Sequence, residues 1–294
     1  MLIEQLVNAL SQGAFYALFA AGLTLIFGVL HILNMAHGSM FIWGSFTAWI
    51  LITRVELPFF LAILIAIFCS GVYGLVINEI GFKPLRKKSS SYLPPLVSSL
   101  ALSIILVNVA ELVFGTRVVR YNQEEIPLQT TFSFLGRDIS LIQIILFLLA
   151  LILMGGLWIL INKTKIGREI KAIEENPVVA SLLGINIERS IRIMFFLAAA
   201  LAGIAGIFIG IAFNTISPYM GEVFDLKGFA IIVLGGMGSI PGALLGGFIL
   251  GFGEIATVTF LDSNYRDAFV FSLLLLILFF KPNGLFGYKG GDRA

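Results

Sequence analysis

The sequence predicts an all-α fold: a polytopic transmembrane helix bundle of about eight crossings, organised as a single domain over residues 1–294. Three observations predict it. Hydrophobic residues are 59% of the chain and charged residues 12%, about half the charged share of soluble domains. The mean hydropathy is +1.01, so there are too few polar residues to cover a soluble surface and lipid must be the solvent. Several runs also reach the roughly 20 apolar residues that a helix needs to cross hydrocarbon.

The crossings follow in order. Residues 6–30 make the first, and 38–53 a shorter second passage. Residues 59–78, 93–114 and 141–161 are clearer spans, and 193–213 contains no charge at all. Residues 228–253 are also charge-free but carry nine glycines and Pro241. This stretch therefore reads as a broken hairpin that turns between Gly235 and Gly242. Residues 268–280 close the set, short for a span unless Lys281 snorkels. The first five residues lack a basic n-region and a small-residue cleavage site, so the first hydrophobic segment is expected to be retained. Cys69 sits alone in an apolar run and reads as a packing residue.

Loop charges orient the bundle. Residues 81–93 carry Lys83, Arg86, Lys87 and Lys88 with no acid, residues 163–193 carry six bases against four acids, and the tail after Phe280 carries three against one. Thirteen of the 19 basic residues thus fall in segments that alternation places on one side, the cytoplasm. The N-terminus then lies outside and the C-terminus inside. The balance of 19 Lys and Arg against 17 Asp and Glu excludes a nucleic-acid-binding surface.

Polar residues inside the spans mark candidate functional positions. His31, Asn34, His37 and Gly38 form one run, and Asn34 with small Ala36 and Gly38 predicts a break between two half-passages. Two readings stand: a lining for a solute path, or hydrogen bonding between helices. Glu254 follows a long uncharged stretch and is the most interesting acid. Asn78 and Glu79 end a span beside basic residues, where an ion pair is expected. Two histidines six apart have no third ligand nearby, so no metal site is expected. Small residues at four-residue spacing (Gly206 and Gly210, Gly242 and Gly246, Gly247 and Gly251) predict close helix approach, within the chain or to a second subunit. A faint echo links residues 27–45 to 234–247: an apolar run, a broken middle, an apolar run.

Residues 164–192 are too polar to span and too patterned to be a plain loop. Ile166, Ile170 and Ile173 make one apolar stripe. Asn176-Pro177 reads as an N-cap with proline at the first helical position, and Gly184 as a left-handed stop. A helix, a corner at Asn176, and a short helix over residues 177–183 are predicted. Val178, Val179, Leu182 and Leu183 leave that short helix too apolar for water alone, so it either lies on the membrane surface or docks on a partner. No phosphate-cradling G-x-x-x-x-G-K-[ST] loop occurs in the chain.

These landmarks resemble a known family. Residues 34–38 (Asn-Met-Ala-His-Gly), 180–186 (Ala-Ser-Leu-Leu-Gly-Ile-Asn), 233–242 (Val-Leu-Gly-Gly-Met-Gly-Ser-Ile-Pro-Gly) and 281–287 (Lys-Pro-Asn-Gly-Leu-Phe-Gly) are similar to the LivH-like permease subunits of bacterial high-affinity branched-chain amino acid ABC transporters. The resemblance implies a non-enzymatic permease in the bacterial inner membrane, importing leucine, isoleucine and valine. It implies a second permease subunit, two cytoplasmic ATPase subunits that bind ATP and Mg, and an extracytoplasmic amino-acid-binding protein. This chain would bind no cofactor of its own. Glu175, Asn176, Pro177, Ala180, Ser181, Leu182 and Gly184 would form the ATPase-coupling helix, within a coupling segment of about residues 164–192. The importers' Glu-Ala-Ala-x-x-x-Gly motif is met at Ala180 and Gly184, while Val178 and Val179 replace its first two residues. His31, Asn34, His37, Gly38 and Glu254 are the candidate substrate-path residues. The alternatives are the same architecture carrying urea, short amides, other amino acids or simple sugars, a secondary transporter, or a scaffold subunit. A secondary transporter would favour paired charges in mid-span, and the spans as delimited contain few.

Overall fold

A computed structural model describes residues 2–88, 93–122, 126–127, 131–134 and 137–286 of the chain. Gly287 of the C-terminal landmark lies outside them. The first half runs α1 (Leu2–Leu30), α2 (His37–Trp49), α3 (Phe59–Ile77), α4 (Lys83–Lys88), α5 (Leu93–Phe114) and α6 (Leu141–Lys163). The second runs α7 (Lys165–Glu175), α8 (Pro177–Leu182), α9 (Ile187–Ala212), α10 (Met220–Gly235), α11 (Ile240–Phe260) and α12 (Arg266–Phe280). Among the described residues, seven helical segments are long and apolar enough to cross a membrane, built on α1, α3, α5, α6, α9, α11 and α12. The shorter α2 and α10 complete the bundle. Helices dominate because hydrocarbon offers no partner to a bare peptide group, and a helix satisfies its own. A small hairpin, β1 (Thr131–Phe134) paired antiparallel with β2 (Arg137–Ser140), lies between α5 and α6 in the chain.

The heart of the bundle is α1 and α9, both mostly buried along their length. Their sequences explain this: alanines and glycines alternate with large side chains, as at Ala14-Phe15-Tyr16-Ala17 and Ala202-Gly203-Ile204-Ala205-Gly206. Neighbouring backbones can then approach closely from several directions. Against α1 pack α11, α9, α6 and α10, and α9 also receives α2 and α3. Helix α12 is almost wholly exposed, and α5 and α6 largely so. Their outward Leu, Ile and Phe residues face lipid or another subunit.

The four-residue glycine spacings serve packing inside the chain. Gly247 and Gly251 lie against Ala17 and Gly13 of α1, Gly242 and Gly246 against Gly235 and Ile231 of α10, and Gly206 against the Phe41 carbonyl of α2. No room remains at these contacts for a side chain.

Two features depart from regular spans. After α1 the chain runs irregularly through residues 31–36 before α2 begins, so the break expected around Asn34 is present. The glycine-rich stretch does turn back, between α10 and α11, at Gly236 and Gly238 with φ of 102° and 88°. However, α10 starts at Met220 rather than near 228, which draws Glu222, Asp225 and Lys227 into the helix. The sequence-based boundary was set by the cost of charge in hydrocarbon, and that cost is offset here by specific partners. The last turn of α1 and the α10–α11 turn also meet, with Gly28 beside Gly238.

At the end of the bundle away from α7 and α8, an isolated antiparallel bridge joins Val119 to Ile216. The Asn214 side chain reinforces it by accepting from Tyr121 N (2.8 Å).

Candidate functional site

The first candidate region is the break between α1 and α2. Asn34 is buried; its Oδ1 accepts from Ala36 N at 3.1 Å and its carbonyl from His37 N at 3.2 Å, an Asx-type turn that starts α2. His37 is also buried, and its Nε2 donates to the Phe19 carbonyl at 3.1 Å. That contact fixes the proton on Nε2 and leaves Nδ1 as an acceptor. Among the described residues, Asn34 Nδ2 and His37 Nδ1 have no hydrogen-bond partner. Each such buried atom costs about 1–3 kcal/mol unless water or solute reaches it. His31 is set apart from this group: it ends α1 on an exposed surface with φ of 53°.

Gly38 joins the break to α10. Its amide donates to Asp225 Oδ1 at 2.6 Å, so a carboxylate from another helix caps the otherwise orphaned first turn of α2. A Cβ at Gly38 would collide with the Gly221 carbonyl. Only glycine allows the starts of α2 and α10 to touch through their backbones.

Glu254 lies elsewhere, in a second polar group between α1, α10 and α11. It is fully buried, and its Oε1 stands 2.7 Å from Lys227 Nζ, itself 8% exposed. Its Oε2 accepts from Gln12 Nε2 and Tyr16 Oη, both at 2.7 Å. Gln12 and Lys227 also donate to Tyr16 Oη, at 2.7 and 3.2 Å. At the outer margin Arg266 Nε is 3.8 Å from Glu254, and Asp267 is 3.7 Å from Lys227. Sequence reading singled out Glu254 as a candidate path residue and missed Lys227, Gln12 and Tyr16 as its partners. The signal was present: one lysine and one glutamate flank a charge-free hairpin, so they face each other when it closes.

Asn78 and Glu79 at the end of α3 find basic partners as expected. Glu79 pairs with Lys83 and, at 2.7 Å, with Arg192 Nε, while Asn78 Oδ1 accepts from Arg86 at 3.0 Å. Among the described residues, no group of three or more His, Cys, Asp and Glu is placed to hold a metal.

The third region is the elbow of α7 and α8. Thr164 caps α7 by accepting from Gly167 N at 3.2 Å. Ile170 and Ile173 are buried, so the apolar stripe of α7 docks on the bundle, touching α1, α6 and α9. Asn176 Oδ1 accepts from Val178 N (3.0 Å) and Val179 N (3.1 Å), with Pro177 at the first helical position. At the other end Gly184 has φ of 83°; its amide donates to Ser181 O at 3.0 Å, and Ile185 N donates to Ala180 O at 3.1 Å. These two bonds are a Schellman stop. Only Ala180 faces inward, while Leu182 is 82% and Leu183 75% exposed, with Val178 and Val179 beside them. A six-residue helix cannot hold itself in water. Its caps hold it, and what they hold is an apolar surface pointing away from the bundle.

A helix bundle of membrane-spanning length, with two short helices meeting at a polar interior and a capped elbow at one end, defines the class: a multi-pass membrane permease component. Residues 5–278 match the family described as "Branched-chain amino acid transport system / permease component", and the chain belongs to that family. It is 34% identical to the high-affinity branched-chain amino acid transport system permease protein BraD of Pseudomonas aeruginosa, over 97% of this chain and 95% of that protein. It is 34% identical to the permease protein LivH of Escherichia coli K12, over 97% and 95%. The ribose import permease protein RbsC of Haemophilus influenzae is similar at 24% identity, over 96% of this chain and 86% of that protein. Among solved structures, PsaBC from Streptococcus pneumoniae in complex with Fab aligns with a TM-score of 0.49 at 13% identity, over 95% of this chain and 92% of that one.

Proposed function

We propose that this chain is the transmembrane permease subunit of an ATP-driven importer that moves branched-chain amino acids into the cell across the inner membrane. A second permease subunit completes the path, two cytoplasmic ATPases bind ATP and Mg, and an extracytoplasmic binding protein delivers the solute. The cargo rests on the names of the relatives. The elbow end is cytoplasmic, because the basic loops before α5 and after α6 gather there. The chain after α12 also returns to that end, where Leu285 N donates to Leu234 O at 2.8 Å.

One observation carries the mechanical part: the capped, outward-facing apolar surface of α8. Glu175, Asn176, Pro177, Ala180, Ser181, Leu182 and Gly184 build the helix that docks on the ATPase. Movement of α8 passes into α7, whose buried isoleucines press on α1 and α9. Those two helices flank the break at Asn34 and His37, so a tilt at the elbow changes the side to which the path opens. Solute passes Asn34 and His37, whose unpaired Nδ2 and Nδ1 await water or solute, with Gly38 seating α2 against α10 beside them and His31 standing apart at the exposed end of α1. Glu254, already ringed by partners, acts on the path by holding α1, α10 and α11 in place.

Uptake of labelled leucine in cells lacking this gene tests the reading, with ATP depletion as a parallel arm and isoleucine, valine, urea and ribose as competitors. Loss of an ATP-dependent signal that isoleucine and valine block is the expected result. Intact leucine uptake with loss of urea or ribose uptake would replace the cargo. In the same assay Asn34→Leu reduces uptake with assembly intact; unchanged uptake removes Asn34 from the path.

A further inference from the structure

A cavity of about 190 Å³ opens at the elbow end, between the last turns of α1 and α6, the outer face of α7, and the turn that starts α11. At about 30 Å³ per water it holds roughly six waters, room for a small solute and not for a peptide. Its walls are apolar at Leu25, Val29, Trp158 and Ile161, and polar at Asn162, Lys171 and Glu174.

The two charges are the informative part. Lys171 and Glu174 stand one turn apart on one face of α7, the spacing at which opposite charges ordinarily pair. Here they do not. Lys171 Nζ donates to Asn162 Oδ1 at 2.8 Å. Glu174 makes no hydrogen bond or ion pair among the described residues. Instead its Oε1 reaches across to α1 and the α11 turn, 3.6 Å from where a Cβ on Gly28 would stand and 3.7 Å from one on Gly238. A half-buried carboxylate thus stands apart from an ammonium at the exposed rim of the same small, apolar-walled chamber. The last carbonyls of α1 add partial negative charge on the Glu174 side.

We propose that this chamber binds one zwitterionic, apolar amino acid from the cytoplasm, its ammonium on Glu174, its carboxylate on Lys171 and its side chain against Val29 and Trp158, and that occupancy slows transport. This rests on the importer reading, which makes the chamber cytoplasmic and its ligand the delivered product. The ligand would touch α1, α6, α7 and the α10–α11 turn together, so it binds tightest where these lie closest. It therefore biases the bundle towards that arrangement and against any state that separates them. Glu174 immediately precedes Glu175 and the Asn176 corner, so the restraint falls on the elbow itself.

The test uses the complete importer in proteoliposomes, with ATP and unlabelled leucine in the lumen that carries the elbow and binding protein with labelled leucine outside. Initial ATP hydrolysis is read beside uptake, because hydrolysis is insensitive to back-flux of label. Luminal leucine should slow both. Luminal leucinol, which lacks the carboxylate, and 4-methylpentanoate, which lacks the ammonium, should slow neither. Glu174→Gln and Lys171→Gln should each raise the half-inhibitory leucine concentration about ten- to hundredfold, read relative to each variant's own rate in leucine-free vesicles. Hydrolysis indifferent to luminal leucine, equal inhibition by leucinol, or variants inhibited like the wild type would each overturn the proposal. Vesicles with no ATP-dependent leucine uptake in any condition would instead overturn the importer reading on which it stands.

Discussion

Removing one partner of the Lys227–Glu254 pair should cost far more than removing both. Glu254→Leu deletes the acceptor of Gln12, Tyr16 and Lys227 at once. It leaves Lys227 inside the bundle with the Tyr16 hydroxyl at 3.2 Å and Asp267 at 3.7 Å, a carboxylate 66% exposed and weakly held. Breaking a buried pair this way costs about 3–5 kcal/mol, and this change sits at the upper end. Lys227→Met is milder, at about 3 kcal/mol. Glu254 then keeps its bonds from Gln12 and Tyr16 at 2.7 Å, with Arg266 at 3.8 Å. The double variant removes both charges and leaves Gln12 bonded to Tyr16, so it should recover most of the loss, because apolar replacement of a whole buried pair is often neutral. Melting of the assembled permease in nanodiscs is the assay. Single variants should melt roughly 10 °C lower, and the double variant should return to near the wild type. A double variant that melts at the sum of the two single losses would refute the reasoning, since it would mean the groups do not depend on each other.

Three further outcomes are expected. Leu182→Asp with Leu183→Asp should abolish transport-stimulated ATP hydrolysis while changing stability by less than about 0.5 kcal/mol, because both side chains are exposed; pull-down of the ATPases on the tagged permease checks the lost contact. Gly184→Ala meets no atom within 4 Å but must hold φ near 83°, so it should cost about 1–2 kcal/mol by backbone strain alone, read as faster amide exchange across α8. Burial raises the Glu174 carboxyl above its ordinary 4.5, with smaller effects from Lys171, which lowers it, and Glu175, which raises it. The folded state then holds this proton more tightly than the unfolded state, so its stabilisation is full below 4.5 and lost as pH rises through the raised value. Relative to Glu174→Gln, the melting point of the wild type should therefore climb as pH falls from neutrality.

Local chemistry was legible in the sequence and long-range pairing was not. The corner and short helix of the α7–α8 elbow could be read almost residue by residue, because Asn176, Pro177 and Gly184 each act on backbone a few positions away. The turn at Gly236–Gly238 was legible for the same reason. The start of α10 was misplaced because its polar first turns look unlike a membrane segment until Asp225 is seen capping α2 and Lys227 meeting Glu254. Those partners lie 187 and 27 residues away by number (225 − 38 and 254 − 227). No local period reports such contacts. The same limit left open whether the glycine pairs served this chain or a neighbour, which the approach of Gly247 and Gly251 to α1 decides.

The burial of α1 also sets an order of events at the ribosome. Gln12 and Tyr16 leave the exit tunnel first, yet Glu254, which satisfies both, is made 242 residues after Gln12. At about 5–20 residues per second the first helix waits roughly 12–50 s for its partner. Through that interval Gln12 and Tyr16 have only each other, one turn apart on α1, and lack the carboxylate that accepts from both. The helix at the centre of the finished protein is thus the one most dependent on being sheltered while the rest is made. A chain truncated before α11 would present that polar face permanently, a ready mark for quality-control proteolysis.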